Sequence, residues 1–164
     1  MNGTELVYAG RAGGTHYGNQ GGAANRLCLP EDPDYLPETA GFSGSSVIWG
    51  AEYEFGGKVR SSLHDYNVPC AVCYVSTRAS VLIIPATSQC PMSWTREYYG
   101  YLTAEYDGHY CSSFECIDSS PEAIPNSSSN LDGALFYYVE ATCNGLDCPP
   151  YESSRILSCT VCTK

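Results

Sequence analysis

The sequence has few basic residues and no long apolar run, and each absence argues against a class of protein. Only eight of its 164 residues are Lys or Arg, against 18 Asp and Glu, so the formal net charge is −10 at pH 7. Nucleic-acid binding depends on basic side chains that displace counterions from phosphates, so we expect no nucleic-acid partner. The longest apolar run, Val81 to Ile84, is far shorter than the ~20 residues of a membrane-spanning helix, so we expect no membrane span.

Recognised catalytic patterns are also missing from the sequence. The three histidines, His16, His64 and His109, stand in no catalytic spacing. The glycines of residues 10–24 lack the spacing of a dinucleotide-binding loop. We therefore predict surface histidines, a glycine-rich loop over residues 10–24, no enzyme activity and no cofactor.

Two acidic clusters offer oxygen ligands suited to calcium. They are Glu31-Asp32-Pro33-Asp34 and Glu52-Tyr53-Glu54. Neither follows the alternating ligand pattern of a calcium-binding loop. The interpretation is that these acids are solvated, and no metal site is predicted.

The sequence is rich in cysteine, with ten residues. Disulfide-rich chains are typical of secreted proteins, because the cytosol keeps thiols reduced. The first residues, Met1 to Glu5, lack the charged and apolar regions of a signal peptide. We therefore expect a secreted protein, of which this chain is a mature or trimmed fragment.

Short segments rich in β-branched and aromatic residues, bounded by Gly, Pro or Ser, predict an all-β fold. The predicted strands are Thr4–Tyr8, Ser46–Trp49, Ala71–Val75, Val81–Ile84, Glu97–Thr103, Ala134–Val139 and Ile156–Val161. The polar stretch from Asp118 to Gly133 is predicted to be a loop.

Several segments of the first half recur in the second at nearly constant spacing. Residues 28–37 match residues 116–125 at an offset of 88, residues 70–73 match 159–162 at 89, and residues 8–10 match 98–100 at 90. Surface-loop insertions produce this kind of drift. The pattern predicts an internal duplication: two tandem homologous β-rich repeats, a first half of residues 1–85 and a second half of residues 86–164.

The two Cys-x-x-Cys pairs, at residues 70–73 and 159–162, allow three interpretations. A zinc site needs four ligands within a compact unit, but these pairs lie 89 residues apart. A redox-active pair needs its first thiol at a helix N-terminus, and only two residues follow Cys162. Structural disulfides are the favoured interpretation.

The order of cysteines, prolines and aromatic residues carries a family resemblance along essentially the whole chain. The segments are Cys70-Ala71-Val72-Cys73, Ile83-Ile84-Pro85, Cys90-Pro91-Met92-Ser93-Trp94, Cys116-Ile117, the aromatic strand Phe136 to Thr142 and Cys159-Thr160-Val161-Cys162. They resemble the C-terminal non-collagenous domain of type IV collagen. Further segments are similar to the spongin or short-chain collagen domains of invertebrates: Glu5-Leu6-Val7-Tyr8, Cys28-Leu29-Pro30-Glu31-Asp32-Pro33 and Cys148-Pro149-Pro150-Tyr151.

The resemblance implies two homologous β-rich subdomains in which the late Cys-x-x-Cys pair is bonded to two earlier cysteines. Carried over to the matching positions, it implies the disulfides Cys90–Cys162 and Cys116–Cys159 in the second half, and Cys28–Cys70 in the first. A loop of about 42 residues closed in this way contributes ~4 kcal/mol in the chain-entropy model.

Four cysteines fall outside the implied pattern. The family partner of Cys73 would lie just before Asn2, and Cys111 is an extra cysteine in the second half. Of these four, Cys143 and Cys148 are close in sequence and are predicted to pair. Cys73 and Cys111 then remain as the last pair, and a bond between them would link the two halves covalently. The alternative is that Cys73 and Cys111 are free thiols.

The resemblance also implies a function. It suggests a secreted extracellular-matrix module that mediates chain association or matrix adhesion, as a homo-oligomer or with other matrix chains. The sequons at Asn2 and Asn126 predict N-glycosylation. The fourteen tyrosines support an alternative, a secreted lectin-like recognition protein, because loop tyrosines with small polar neighbours suit glycan binding.

Overall fold

The structure, a computed structural model, describes residues 3–36 and 44–164. Over these residues it is all-β, as predicted, with nine strands and one short 3-10 helix, Ser61–Leu63. The strands are β1 (Thr4–Gly14), β2 (Leu27–Pro30), β3 (Trp49–Tyr53), β4 (Pro69–Val75), β5 (Val81–Pro85), β6 (Thr95–Ala104), β7 (Glu115–Asp118), β8 (Ala134–Tyr138) and β9 (Ser158–Thr163). Within the described ranges, no helix has the length and apolarity to cross a bilayer.

The strands form one continuous sheet path. Their order is β2-β1-β3-β8-β6-β9-β5, with β4 attached to β1 and β7 attached to β6. Neighbours are antiparallel except for β3 and β8, which run parallel with Ala51 opposite Ala134 and Tyr53 opposite Phe136. Since β3 lies in the first half and β8 in the second, this pairing joins the halves.

The two longest strands, β1 and β6, each pair with three others. Strand β1 pairs with β2, β3 and β4, and strand β6 pairs with β7, β8 and β9. Each has one bulge against its C-terminal partner, between Leu6 and Tyr8 in β1 and between Arg96 and Tyr98 in β6. Strand β5 belongs to the first half in sequence, yet it pairs with β9.

Glycine is required where β1 and β6 meet their short partners. A Cβ atom at Gly10 would overlap the carbonyl oxygen of Leu29 in β2, and a Cβ atom at Gly100 would overlap that of Ile117 in β7. Only glycine lets the two backbones approach this closely. These crossings hold β2 and β7 against the long strands.

The main core lies where the two halves meet. It contains seven buried residues from both halves: Ala12, Ala51, Tyr53, Phe55, Val68, Ala134 and Phe136. The rings of Phe55 and Tyr138 stack with centroids 4.2 Å apart. A second cluster, drawn from the second half alone, comprises Leu102, Cys116, Cys159 and Val161. Burial of aromatic side chains at the junction therefore stabilises both halves together.

Some predicted element boundaries are wrong. Strand β1 continues to Gly14, so residues 10–14 are strand and not loop. Strand β3 begins at Trp49, where the prediction had a strand ending. Strands β2 and β7 were not predicted, because each has only four residues and lacks a β-branched or aromatic run. Strands β4 and β5 lie within two residues of their predicted bounds.

Candidate functional site: disulfide frame, open sheet edge and polar cleft

Four disulfides brace the fold. They join Cys28 to Cys70, Cys90 to Cys162, Cys116 to Cys159 and Cys143 to Cys148, with Cα–Cα distances of 5.6–5.9 Å. These are the pairs that the family resemblance and the cysteine arithmetic suggest. Three of the four involve β4 or β9 and a segment earlier in the chain, so they hold these two strands against the rest of the structure.

The remaining two cysteines are not bonded to each other. Cys73 and Cys111 are both free and exposed, so the Cys73–Cys111 link between the halves is wrong. Cys73 lies on β4 opposite Leu6 of β1. Cys111 lies in the loop after β6, on the rim of the polar cleft described below. The two thiols therefore belong to different surfaces.

The first of these surfaces is the β1–β4 ribbon, formed by residues 4–8 of β1 and residues 72–75 of β4. Its apolar side chains are exposed: Leu6 is 63% exposed, Val7 60% and Tyr74 56%. Strand β4 has β1 as its only strand partner in the described part of the chain. The outer edge of β4 is thus a row of backbone groups without a neighbouring strand.

Strand β9 occupies the comparable position in the second half and differs from β4. It lies between β6 and β5, with Val161 opposite both Tyr98 of β6 and Ile83 of β5. Its residues from Cys159 to Thr163 are buried. Strand β5 covers the second edge of β9, whereas no strand in the described residues covers the second edge of β4.

A network of hydrogen bonds centred on Glu97 fixes the start of β1 against the second half. The Glu97 carboxylate accepts hydrogen bonds from Thr4 in β1, Arg78 in the β4–β5 loop and Thr163 in β9, at 3.0, 2.8 and 2.6 Å. Burial alone would raise the pKa of Glu97, but these hydrogen bonds and the charge of Arg78 outweigh it and lower the pKa below its ordinary value. The carboxylate is therefore held in its charged form.

The second surface is a polar cleft of about 200 Å³ between the glycine-rich loop and the loop after β6. Its lining includes Thr15, His16, Asn19, Gln20, Arg26, Glu105, Tyr110 and Cys111. Gln20 donates a hydrogen bond of 2.8 Å to the Tyr110 hydroxyl, so the two loops are in contact across the cleft. Backbone hydrogen bonds from Tyr110 to Tyr17 and from Ser113 to Ala24 reinforce that contact.

Arg26 forms the charged floor of the cleft. Its side chain is 4% exposed, lies 3.5 Å from Glu105 and 3.8 Å from Glu115, and packs over the Phe136 ring at 4.0 Å. It also donates a hydrogen bond to the carbonyl oxygen of Leu135. Burial lowers the pKa of Arg26, while the two carboxylates oppose the shift. Arg26 therefore links the loop before β2 to the carboxylates of Glu105 and Glu115 and to the core residue Phe136.

Aromatic rings cluster beside the cleft. The ring of His16 stacks on Tyr17 with centroids 4.5 Å apart and meets Trp49 edge-on at 4.8 Å. Tyr17 in turn contacts His109 at 4.4 Å. His109 also approaches the carboxylate of Glu105 at 3.1 Å. These histidines are therefore half-buried among aromatic rings, which differs from the predicted surface histidines.

One of the two predicted glycosylation positions can be placed. Asn126 is exposed, with a positive φ of 59°, in the loop between β7 and β8. The next residue, Ser127, is tied down by hydrogen bonds to Ile124 and from the backbone N–H of Asn67. Asn2 lies outside the described residues. Glycosylation at both positions stays a prediction.

The second acidic cluster is not solvated, and that prediction is wrong. Glu52 on β3 is 2% exposed, and its carboxylate accepts backbone N–H bonds of 3.1 Å from Leu131 and Asp132. The Glu54 side chain is 9% exposed. Burial raises the pKa of Glu54 to about 7; the charge of His64 opposes this shift, and the carboxylates of Asp65, Asp132 and Glu52 add to it. Glu52 lies in β3 and Glu54 directly follows it, and the sequence alone did not reveal that both side chains are covered.

Comparisons with known proteins add no family to this description. No family model matches the sequence, and no solved structure matches the chain.

Proposed function

We propose that this chain is a secreted, non-catalytic assembly module of the extracellular matrix, similar to the C-terminal non-collagenous domains of type IV collagen and the spongin-like domains. The observation that carries the proposal is the open edge of β4 beside the exposed apolar residues Leu6, Val7 and Tyr74. Unpaired strand edges recruit further strands, and exposed apolar patches mark interaction surfaces. The edge is therefore the place where another chain would add a strand.

The chemistry of the chain agrees with this proposal. Four disulfides are compatible with an oxidising, extracellular environment. The Cys28–Cys70 disulfide also anchors the start of β4 to β2, so the strand that carries the ribbon is held in place at its other end. A preformed edge lowers the ordering cost of association.

We further propose that the two halves arose by internal duplication. The matching sequence segments support this, and so do three structural parallels: the bulges in β1 and β6, the close crossings at Gly10 and Gly100, and the paired disulfides Cys28–Cys70 and Cys116–Cys159. In addition, Tyr8 and Tyr98 donate equivalent hydrogen bonds of 3.0 Å to the carbonyl oxygens of Cys28 and Cys116. On this proposal, β4 is an open counterpart of β9.

The oligomeric state tests the assembly proposal. Light scattering after size exclusion, in a Cys73→Ser, Cys111→Ser background that prevents adventitious cross-links, is expected to give a dimer or larger species. Tyr74→Lys places a charge on the ribbon, opposite Glu5, and is expected to shift the protein to monomer. Phe114→Lys, at a residue 65% exposed outside the ribbon, is the matched control and should leave the assembly intact. A monomeric parent protein, or equal behaviour of both variants, contradicts the proposal.

A second candidate function, glycan recognition, is favoured by the polar cleft. Asn19, Gln20 and Tyr110 supply hydrogen-bonding groups beside stacked rings, a combination suited to sugars. A monomer that is retained on a glycan array, and that loses retention in a Gln20→Ala variant, supports this function over assembly.

A further inference from the structure

Four ionisable side chains converge on Glu54, which directly follows β3. The groups that perturb its charge are His64, Asp65, Asp132 and Glu52, so an imidazole and three other carboxylates surround this carboxylate. Two overlapping sets bring their ligand atoms within 4.8 Å of one another: Glu54, His64 and Asp65, and Glu52, Glu54 and Asp132. Such a concentration of negative charge in a partly dry site is unfavourable without a cation.

Two atoms of this cluster are buried and have no hydrogen-bond partner. They are Oε1 of Glu54 and Nδ1 of His64. The Glu54 side chain is nine-tenths buried, so its unpaired oxygen cannot be satisfied by bulk water. Buried polar atoms in folded proteins are normally bonded, which makes these two a sign of an absent ligand.

The distances from the His64 ring nitrogen to the two carboxylate oxygens match those between neighbouring ligand atoms of a metal ion. Nδ1 of His64 lies 3.3 Å from Oε2 of Glu54 and 3.5 Å from Oδ1 of Asp65. Bonds of about 2.1 Å at tetrahedral angles place neighbouring ligand atoms roughly 3.4 Å apart. The two distances from His64 are therefore those of a tetrahedral site, and the ligand atoms of Glu54 and Asp65 lie within 4.8 Å of each other.

The backbone holds this arrangement in place. Glu54 directly follows β3, and the chain returns through the 3-10 helix Ser61–Leu63 to His64 and Asp65. The loop is closed by hydrogen bonds of 2.9 Å from the Asp65 N–H to the Tyr53 carbonyl and of 3.0 Å from the Tyr53 N–H to the Tyr66 carbonyl. These hydrogen bonds fix both ends of the loop from Glu54 to Asp65, so the side chains at its two ends are preorganised to bind a metal ion.

We infer that Glu54, His64 and Asp65 form a binding site for a divalent transition-metal ion such as Zn²⁺. The imidazole favours Zn²⁺ over Ca²⁺ and Mg²⁺, which prefer all-oxygen sites. The His64 and Asp65 side chains are 40% and 28% exposed, so the site lies near the surface, where a water molecule can supply a fourth ligand. Glu52, whose oxygens already accept backbone N–H bonds, contributes charge from behind the site.

Metal titration of the chelator-treated, disulfide-bonded protein tests the inference. The parent carries Cys73→Ser and Cys111→Ser, because free thiols bind Zn²⁺ themselves. Calorimetry with Zn²⁺ is expected to show one site, with weaker binding of Mn²⁺ and weaker still of Ca²⁺ and Mg²⁺. His64→Ala and Glu54→Gln should weaken Zn²⁺ binding at least about tenfold.

Two further variants keep the test decisive. Asp65 has a φ of 65°, a conformation that Asn also tolerates, so Asp65→Asn removes a charged ligand while keeping the fold. His16→Ala is the matched control, because it removes a histidine outside the cluster and should bind Zn²⁺ like the parent. A Zn²⁺-dependent shift of the His64 Nδ1 resonance is expected in nuclear magnetic resonance spectra. No Zn²⁺ binding, tighter Ca²⁺ binding, or affinity unchanged in both His64→Ala and Asp65→Asn overturns the inference.

Discussion

At the scale of single residues, the Glu97 carboxylate shows how one charge connects distant parts of the chain. Its three donors come from the start of β1, the β4–β5 loop and the end of β9. Hydrogen bonds to an ionised group contribute more than bonds between neutral groups. The charge at Glu97 therefore stabilises the contact between the start of the first half and the end of the second.

Glu97→Gln is expected to lower the free energy of unfolding at pH 7 by about 1–3 kcal/mol, because a neutral amide accepts weaker hydrogen bonds. A carboxyl whose pKa is lowered on folding stabilises the native state above its unfolded pKa, near 4.5, and loses that contribution as the pH falls through its folded pKa. Urea unfolding of both proteins at a series of pH values measures the difference. The gap between them should narrow as the pH falls below about 4.5.

The matched control for this prediction is Glu31→Gln, which removes a carboxylate from an exposed position after β2. Its free energy of unfolding should stay within about 0.5 kcal/mol of the parent at neutral pH. A loss in Glu31→Gln equal to that in Glu97→Gln would show that net charge, and not the local network, is responsible.

At the scale of elements, the disulfides differ in how much chain they close. Cys116–Cys159 spans 43 residues of sequence, whereas Cys143–Cys148 spans five. In the chain-entropy model the long loop is worth about 4 kcal/mol and the short one about 2 kcal/mol. The long bond should therefore contribute more to the free energy of unfolding.

Replacing both cysteines of each pair by alanine tests this order. The Cys116→Ala, Cys159→Ala double variant should lose about 2 kcal/mol more than the Cys143→Ala, Cys148→Ala double variant. The first pair also belongs to the buried second cluster, so packing losses act in the same direction. Denaturant unfolding without added reductant measures both, and an equal or reversed order contradicts the prediction.

The elements also show what local sequence determines. Strands β4 and β5 were predictable because β-branched and aromatic residues cluster there between turn residues. The extension of β1 through Gly10 was not, because its glycines are needed for a crossing with β2 that only the tertiary structure creates. Likewise, the burial of Glu52 was not predictable, because its carboxylate is covered by the loop before β8, far away in sequence. In both examples, contacts between residues far apart in sequence determine the structure, and local sequence does not reveal them.

At the scale of the whole molecule, the position of the main core predicts cooperative unfolding. Tyr53 and Phe55 from the first half pack with Phe136 from the second, and the parallel β3–β8 pair crosses the same junction. An isolated half would expose these rings. Both halves should therefore unfold in one transition, although each has its own disulfides.

The two tryptophans make this testable, because Trp49 lies in the first half and Trp94 in the second. Trp94→Phe leaves a fluorescence signal from the first half only, and Trp49→Phe leaves one from the second. Within each variant, the fluorescence midpoint in urea should coincide with the midpoint from circular dichroism, which reports on both halves. Separate midpoints in either variant would mean that the halves are independent folding units.

The parallel pairing of β3 with β8 also affects the order of events during synthesis. Strands β1, β2 and β4 can assemble, and Cys28 can meet Cys70, once residue 75 has left the ribosome. Strand β3 can also pair with β1 at that stage, but its pairing with β8 has to wait for Ala134 to Phe136, more than eighty residues further along. A nascent chain therefore passes through a stage in which the Cys28–Cys70 disulfide has formed while the aromatic rings of the main core are still exposed. Chaperones and oxidising enzymes would bind the chain at this stage.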